Sequence, residues 1–543
     1  MASDRYDEIY RSWQWQVPAR FNMGAACCGR YAEDRHRFAL YWEDESGATS
    51  AHTYWDLQQD ANRLSNTLTA LGVERGDRVA IILAQRPETV VAHIACYQMG
   101  AIAMPLSILF GPDALQYRLQ DSGTKVAIVD PASLPNLLPV RRELPTLRHI
   151  IGVAGARETD VAEWGTLLAK ASRRFTSIDT AAEEAALLVY TSGTTGPPKG
   201  ALKPHRVILG NLSGFIHSHD LFPQPGDMFW SPADWAWTGG LMDALIPTMY
   251  FGLPILGFRG RFDADRAFYL LEKYAVRNTF LFPTALKMMM KAYPEPCARF
   301  DLSLRSIMSA GESVGSTVFD WAWQALGVTI NEMFGQTEIN YIVGNSHTLW
   351  PAKSGSMGRP YPGHRVAIID DQGNELPAGE AGEVAVRRTD IHGVADPVFF
   401  LGYWGDAKAT EKKFIGDWGC TGDMASRDED GYLWYQGRTD DVIKSAGYRI
   451  GPAEIESCLL QHASVANAAV IGKPDAERTN IVKAFIVLQQ GVAGTQELVQ
   501  TLQAHVRGKL APYEYPKEIE FVDSLPMTTT GKVQRRILRE RGR

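Results

Sequence analysis

The chain has 543 residues, too many for one hydrophobic core and enough for two to four domains or subdomains. With 45% hydrophobic and 22% charged residues its composition is that of an ordinary globular protein rather than a disordered or fibrous one. The net charge of −7 gives no electrostatic reason to expect nucleic acid or an anionic membrane as partner.

Residues 1–11 are acidic and aromatic with no apolar core, so no secretory signal is expected. From 50 to 155 helical and strand patterns alternate. Apolar spacing at 62–71 predicts a helix, 78–84 a buried strand, 89–99 a helix, and 101–106 and 125–130 two further strands. Short apolar strands between amphipathic helices predict parallel βαβ units. The pattern resumes at 187–190, 278–282 and 306–309, with a helix expected over 207–219. The longest apolar stretch, 241–258, is broken by Asp243, Pro247, Gly252 and Pro254, short of the ~20 uninterrupted residues a membrane span needs. Met288, Met289 and Met290 sit on an expected helix and read as core.

After 354 the texture changes. Residues 366–370, 371–374 and 382–386 read as strand, turn and strand of a small antiparallel or barrel-like subdomain. A break falls near 437–441, followed by about 100 residues with helices expected at 452–461 and 496–509 and strands at 468–471 and 482–488. The expected fold is therefore α/β: a large N-terminal domain over 1–438 with parallel βαβ subdomains and a small barrel-like one, then a small mobile α+β domain over 439–543. The arginines at 535, 536, 539, 541 and 543 read as a solvated terminal helix face. Cys27, Cys28, Cys96, Cys297, Cys420 and Cys458 have no C-x-x-C or zinc spacing, so reduced thiols in a cytoplasmic protein are expected.

The most chemically suggestive run is Thr191, Ser192, Gly193, Thr194, Thr195, Gly196, Pro197, Pro198, Lys199 and Gly200. Glycines let backbone N–H groups approach phosphate oxygens, and the hydroxyls and Lys199 add donors. The spacing is neither the Walker loop nor a G-x-G-x-x-G fingerprint. The complete ordered string resembles the signature loop of the adenylate-forming superfamily, which includes acyl-CoA synthetases, peptide-synthetase adenylation domains and luciferases.

Further matches follow in the family's order. The segment 309–313, with Gly311, Glu312 and Ser313, resembles the one lining the adenine and acyl pocket. Glu332, Met333, Phe334, Gly335, Gln336, Thr337 and Glu338 resemble the element in which Thr337 would contact the α-phosphate and Glu338 would hold magnesium, a hard cation suited to a carboxylate. Asp423 would accept hydrogen bonds from the ribose hydroxyls, Arg438 would reach ribose or phosphate, and Asp440 would be the hinge. Lys532 would be the adenylation lysine. Where a carboxylate meets a triphosphate, a placed cation is the main catalytic need, and no nucleophilic side chain is required.

The stretch 444–451 resembles the pantetheine tunnel of acyl-CoA synthetases, which implies CoA contacts from Ala446, Gly447, Tyr448 and Arg449. Arg478, Lys509, Tyr515, Pro516 and Lys517 are implied contacts by similarity to the medium-chain enzymes. Trp235 and Trp237, with Gly311 and Gly335, would border the acyl group. Acetate-specific relatives carry Trp at the place of Gly335, so an acid of short-to-medium length, branched, cyclic or aromatic, is implied. The resemblance runs over residues 50–540. It implies an AMP-forming acyl-CoA synthetase using ATP, Mg2+ and CoA, with a homodimer open to it. The competing readings are a ligase loading a carrier-protein pantetheine, which the lack of a carrier-like segment after 543 disfavours, and a non-catalytic nucleotide- or acyl-CoA-binding sensor.

Overall fold

The computed structural model describes residues 4–191, 197–441, 443–445, 448–475, 479–507, 509–510, 514–527 and 533–541. Two compact units emerge: 1–366 with 386–419, and 367–385 with 420–543.

The first unit is built on two large sheets. In the eight-stranded one, Ile102–Pro105, Arg78–Ile82, Val126–Val129, His149–Gly152 and Val161–Glu163 run parallel, and Ala185–Thr191 joins beside Ile102–Pro105. Each of the first four is nearly or wholly buried, which explains their uninterrupted apolar character. In the nine-stranded sheet, Phe229–Trp230, Asn278–Phe280, Ser306–Ala310 and Ile330–Phe334 form the parallel centre. Trp230, Phe268, Leu271, Leu286, Met289 and Ile307 pack into one core against it. Met289 of the methionine triplet is indeed core, whereas Met288 is 44% exposed.

The helices follow the expected pattern with boundaries set by local chemistry. The first long one spans Tyr54–Ala70, starting eight residues before the apolar spacing predicts. Its start is a capping box: the Thr53 hydroxyl accepts the Asp56 N–H, and the Asp56 carboxylate accepts the Thr53 N–H. Polar Gln58, Gln59 and Asp60 in its first turns mask the period. Pro87 and Pro112 open their helices at the first position, where a missing N–H costs nothing. The broken apolar stretch becomes two short helical segments, Leu241–Leu245 and Ile246–Tyr250, and the strand Ile255–Arg259. Among the described residues no helix is long and apolar enough to cross a membrane.

In the second unit the strand Trp418–Arg427 pairs antiparallel with Leu433–Arg438 from residue 423 onward. Farther along, Val465–Asp475, Thr479–Leu488 and Glu518–Phe521 form a three-stranded sheet. It packs against the helices Pro452–Leu460 and Gln496–Arg507 through Ile455, Leu459, Val470, Ile486, Leu502 and Val506. The expected solvated face of the last helix, Arg535–Arg541, holds for the exposed Arg536 and Arg541 but not for Arg535 and Arg539. Arg535 pairs with Asp441 and Glu456, Arg539 with Asp441, and Arg541 with Glu520 at 2.8 Å. Burial of Glu456 raises its carboxyl, and the Arg535 guanidinium opposes that shift. Cys297 is exposed and the other five cysteines are buried.

Candidate active site

The two ends of the phosphate-type run lie on paired strands that the sequence pattern does not reveal. Ala185–Thr191 returns not directly into a helix but as a strand, Lys199–Pro204, with Thr191 opposite Lys199. The two end residues are thus held in register, the Thr191 hydroxyl lying 3.4 Å from the Lys199 carbonyl. Ser192, Gly193, Thr194, Thr195 and Gly196 lie outside the described residues. A third strand, Gly402–Tyr403, pairs antiparallel on the outer side, placing Tyr403 opposite Ala201. Lys199 Nζ stands 5.4 Å from the Tyr403 ring centre, within cation–π range.

The parallel strands Ser306–Ala310 and Ile330–Phe334 end side by side, with Ala310 opposite Met333. Gly311, Glu312 and Ser313 therefore leave one strand where Phe334, Gly335 and Gln336 leave its neighbour. Carboxyl ends of adjacent parallel strands are where open α/β sheets bind ligands. Gly311 has φ +96 with nothing within 4 Å of a would-be Cβ, so its chain faces open space in a conformation suited to glycine. Glu332, placed with the nucleotide contacts by resemblance, is 6% exposed and turns inward: its Oε1 accepts the Val314 N–H at 2.7 Å. Burial pushes its carboxyl up to about 7. Here it braces the 311–315 loop from behind.

Beyond Phe334 the chain makes a tight turn, in which Gln336 N–H donates to Ile339 O and Ile342 N–H to Phe334 O. Thr337 and Glu338 sit on it. Their hydroxyl and carboxylate have different partners: Thr337 Oγ1 is 3.1 Å from Thr238 Oγ1, and Glu338 Oε1 accepts the Tyr403 hydroxyl at 2.5 Å. Lys413 Nζ donates to Gln336 Oε1 at 2.9 Å. Among the described residues no group of three or more His, Cys, Asp or Glu side chains could hold a metal unaided. A single carboxylate such as that of Glu338 would suit magnesium, which is held by one or two carboxylates together with phosphate oxygens and water.

Gly335 has less space than expected: a Cβ there would lie 2.4 Å from the Tyr341 backbone nitrogen. Trp235 is 1% exposed and its ring tip lies against Gly257, so it is a packed core residue. Trp237 is half-buried and meets Phe110 edge to face at 5.7 Å. Phe110, which no sequence pattern marks, thus joins Trp237 in an aromatic pair next to Thr238.

In the second unit Asp423 and Arg438 are cross-strand neighbours. Arg438 Nη1 donates to Asp423 Oδ2 at 3.1 Å and to the Thr421 carbonyl at 3.3 Å. Asp423 is 5% exposed, so its carboxylate is held in a fixed orientation. Gly422, between Thr421 and Asp423, has φ +74, and a Cβ there would lie 2.9 Å from Arg438 Nη2. Asp440 lies in the short helical turn Thr439–Asp441. Tyr448 and Arg449 belong to a short strand paired with Ile443–Ser445. Lys509 Nζ donates to Gln461 at 2.8 Å, and Pro516 is buried, its carbonyl accepting from Gln503. Lys517 Nζ and Arg507 lie 3.8 and 3.9 Å from the Tyr515 ring centre; Arg507 is an addition that its helical period hides. Ala446, Gly447, Arg478 and Lys532 lie outside the described residues.

Residues 30–404 match the family model for the AMP-binding enzyme, and 454–532 that for the AMP-binding enzyme C-terminal domain. Acetyl-coenzyme A synthetase of Bacillus subtilis (strain 168) is 34% identical, over 98% of this chain and 94% of its own. The mitochondrial acyl-coenzyme A synthetase ACSM4 of Rattus norvegicus is also 34% identical, over 99% and 93%. The crystal structure of the anthranilate CoA ligase AuaEII in complex with anthranoyl-AMP superimposes with a TM-score of 0.86 at 29% identity, covering 97% of this chain and 98% of that one. The chain belongs to the AMP-binding enzyme family within the adenylate-forming superfamily, and is an AMP-forming acid–thiol ligase that uses ATP and CoA.

Proposed function

We propose that the acid is short-to-medium in length, branched, cyclic or aromatic, rather than acetate. The observation that carries this is the half-buried Trp237–Phe110 pair beside the Thr238–Thr337 contact, an apolar surface adjoining the residues assigned to the phosphate. An aromatic wall offers area to a ring or branched chain that acetate cannot use. The anthranilate CoA ligase supports that reading. The acetyl-coenzyme A synthetase relative keeps acetate as the second.

In the first half-reaction a carboxylate oxygen bonds to the α-phosphorus of ATP and pyrophosphate leaves. Thr337 donates to the α-phosphate, Glu338 would hold magnesium, Asp423 accepts from the ribose hydroxyls with Arg438 alongside, and Lys532 neutralises charge at the reacting phosphoryl. Magnesium, when bound, supplies the remaining neutralisation of the phosphates. In the second, the CoA sulfur bonds to the acyl carbon, its proton goes to solvent and AMP leaves. Gly447 and Arg449 serve that step, with Asp440 as pivot and Arg507, Lys509 and Lys517 as cations for the CoA phosphates. A reducing cytoplasm is its location on this reading, as six cysteines without C-x-x-C spacing suggest.

The test is a panel of acids, acetate and benzoate included, assayed for AMP release with and without CoA. Ring-bearing or medium-length acids are expected to give the highest kcat/KM and to yield the CoA thioester. Preference for acetate would select the second reading. Transfer only to a carrier-protein pantetheine would overturn CoA as acceptor.

A further inference from the structure

Lys203 is a lysine in the wrong place for a solvated side chain. It lies on the hairpin strand Lys199–Pro204 at 1% exposure, and its ammonium has no hydrogen-bond partner among the described residues. A buried cation of this kind persists only where neighbouring charge compensates it. Two carboxylates face it electrostatically, Asp243 and Glu338. Asp243 is itself 3% exposed and accepts a hydrogen bond from Asn340 Nδ2. Burial brings the Lys203 ammonium down to about 8 and the Asp243 carboxyl up to about 7, the directions expected of charges removed from water.

Strand register explains how these groups meet. Lys199, Ala201 and Lys203 share one strand face by the two-residue period. Tyr403 on the neighbouring strand sits opposite Ala201, between the two lysines. Its hydroxyl reaches Glu338 Oε1, while the Glu338 carbonyl accepts the Phe400 N–H at 3.1 Å. On the other side Asn340, two residues beyond Glu338, ties the same turn to Asp243.

We propose that Lys203 is a positioning residue for adenylation: with Asp243 and Asn340 it forms a charge-balanced frame behind the 335–341 turn that presents the Glu338 carboxylate to magnesium. The inference rests on Glu338 being the metal carboxylate. It assigns to Lys203 no contact with substrate. Groups that orient metal ligands from behind typically change metal affinity by about 10–100-fold when removed.

The experiment uses the full chain with Lys203→Met, Lys203→Met/Asp243→Asn and Glu338→Gln. Three quantities are read: the magnesium concentration for half-maximal AMP release, calorimetric binding of ATP with magnesium or with EDTA, and thioester formation from a supplied acyl-adenylate. Lys203→Met is expected to raise the magnesium requirement about 10-fold or more and to weaken MgATP binding in parallel. Metal-free ATP binding and the thioester step should stay within about twofold. The double variant removes the Lys203 ammonium together with the Asp243 carboxylate, so that Glu338 is the one carboxylate of the pair that remains, and it should keep the raised magnesium requirement. Native magnesium dependence in either variant would overturn the proposal, as would an equal loss in both half-reactions. Failure of both variants to fold would mean a purely structural lysine and equally overturn it. If Glu338→Gln keeps the native magnesium dependence, it is the assignment of Glu338 that fails.

Discussion

Substitution of Gly335 probes the turn that carries Thr337 and Glu338, and the structure changes what that substitution reads. A Cβ at 335 would lie 2.4 Å from the Tyr341 nitrogen, 3.0 Å from Asn340 Oδ1 and 3.1 Å from the Asn340 carbonyl carbon. None of these can yield cheaply. Asn340 is bonded to Asp243, and Tyr341 is fully buried with φ +62 and its hydroxyl 2.7 Å from that of Ser218. Overpacking in such a setting typically costs about 1–3 kcal/mol, and a backbone collision puts Gly335→Ala at the upper end, about 3 kcal/mol. Relief by moving the turn would displace Thr337 and Glu338, and a shift of about 1 Å at reacting groups costs about 10²-fold. Gly335→Ala should therefore lower the midpoint of urea unfolding and reduce pyrophosphate release by a similar factor for every acid tested. Gly335→Trp should behave the same way more severely, so that it reports damage to the turn before any change of chain-length preference. An alanine variant with native stability and a selective loss of the longer acids would refute the steric reasoning and make Gly335 a length gate.

Three other expectations follow from named groups. Asp423→Asn removes the charge from an acceptor assigned to the ribose, a loss of about 1.5–3 kcal/mol, so the KM for ATP should rise about 10–100-fold with the KM for the acid unchanged; a shift in the acid's KM alone would count against it. Lys532→Ala should cut adenylation by about 10²–10³-fold while thioester formation from a supplied adenylate persists, and equal loss in both steps would sink the division of labour. Burial lowers His93 to about 3, below its unfolded value near 6.5, so its contribution to stability is complete above pH 6.5 and drains away as the pH falls toward 3. His93→Gln should therefore flatten the stability curve between pH 6 and 4 by up to about 1.4 kcal/mol per pH unit relative to the parent, and parallel curves in urea titrations would contradict that.

Much of the fold is legible because buried parallel strands must be apolar throughout. Arg78–Ile82, Ile102–Pro105 and Val126–Val129 fall within a residue or two of where their composition puts them. The hairpin behind the phosphate-type run is not legible. Lys199–Pro204 carries two lysines and a proline, which read as a loop leading into a helix, and only pairing with strands on both sides makes it a strand. Trp235 and Trp237 show the same limit: two residues apart, they have the same chemistry, yet one is wedged against Gly257 and the other meets Phe110.

The residues hardest to read are those whose role is to hold another residue. Thr337 and Glu338 stand out because their segment resembles the family element in which a hydroxyl would contact phosphate and a carboxylate would hold magnesium. Tyr403, Lys203, Asp243 and Glu332 meet no such demand, since an unconnected segment decides what each of them touches. Tyr403 lies 65 residues from Glu338, and Asn340 lies 97 from Asp243. Yet a local anomaly was available at Lys203: an ammonium between Leu202 and Pro204, in a run that is otherwise apolar from Gly200 onward. A charged residue inside a strand-length apolar run has to be paid for by a partner of opposite charge. Finding that partner requires register, because a slip of one residue would turn Lys203 to the opposite face of its strand and away from Glu338.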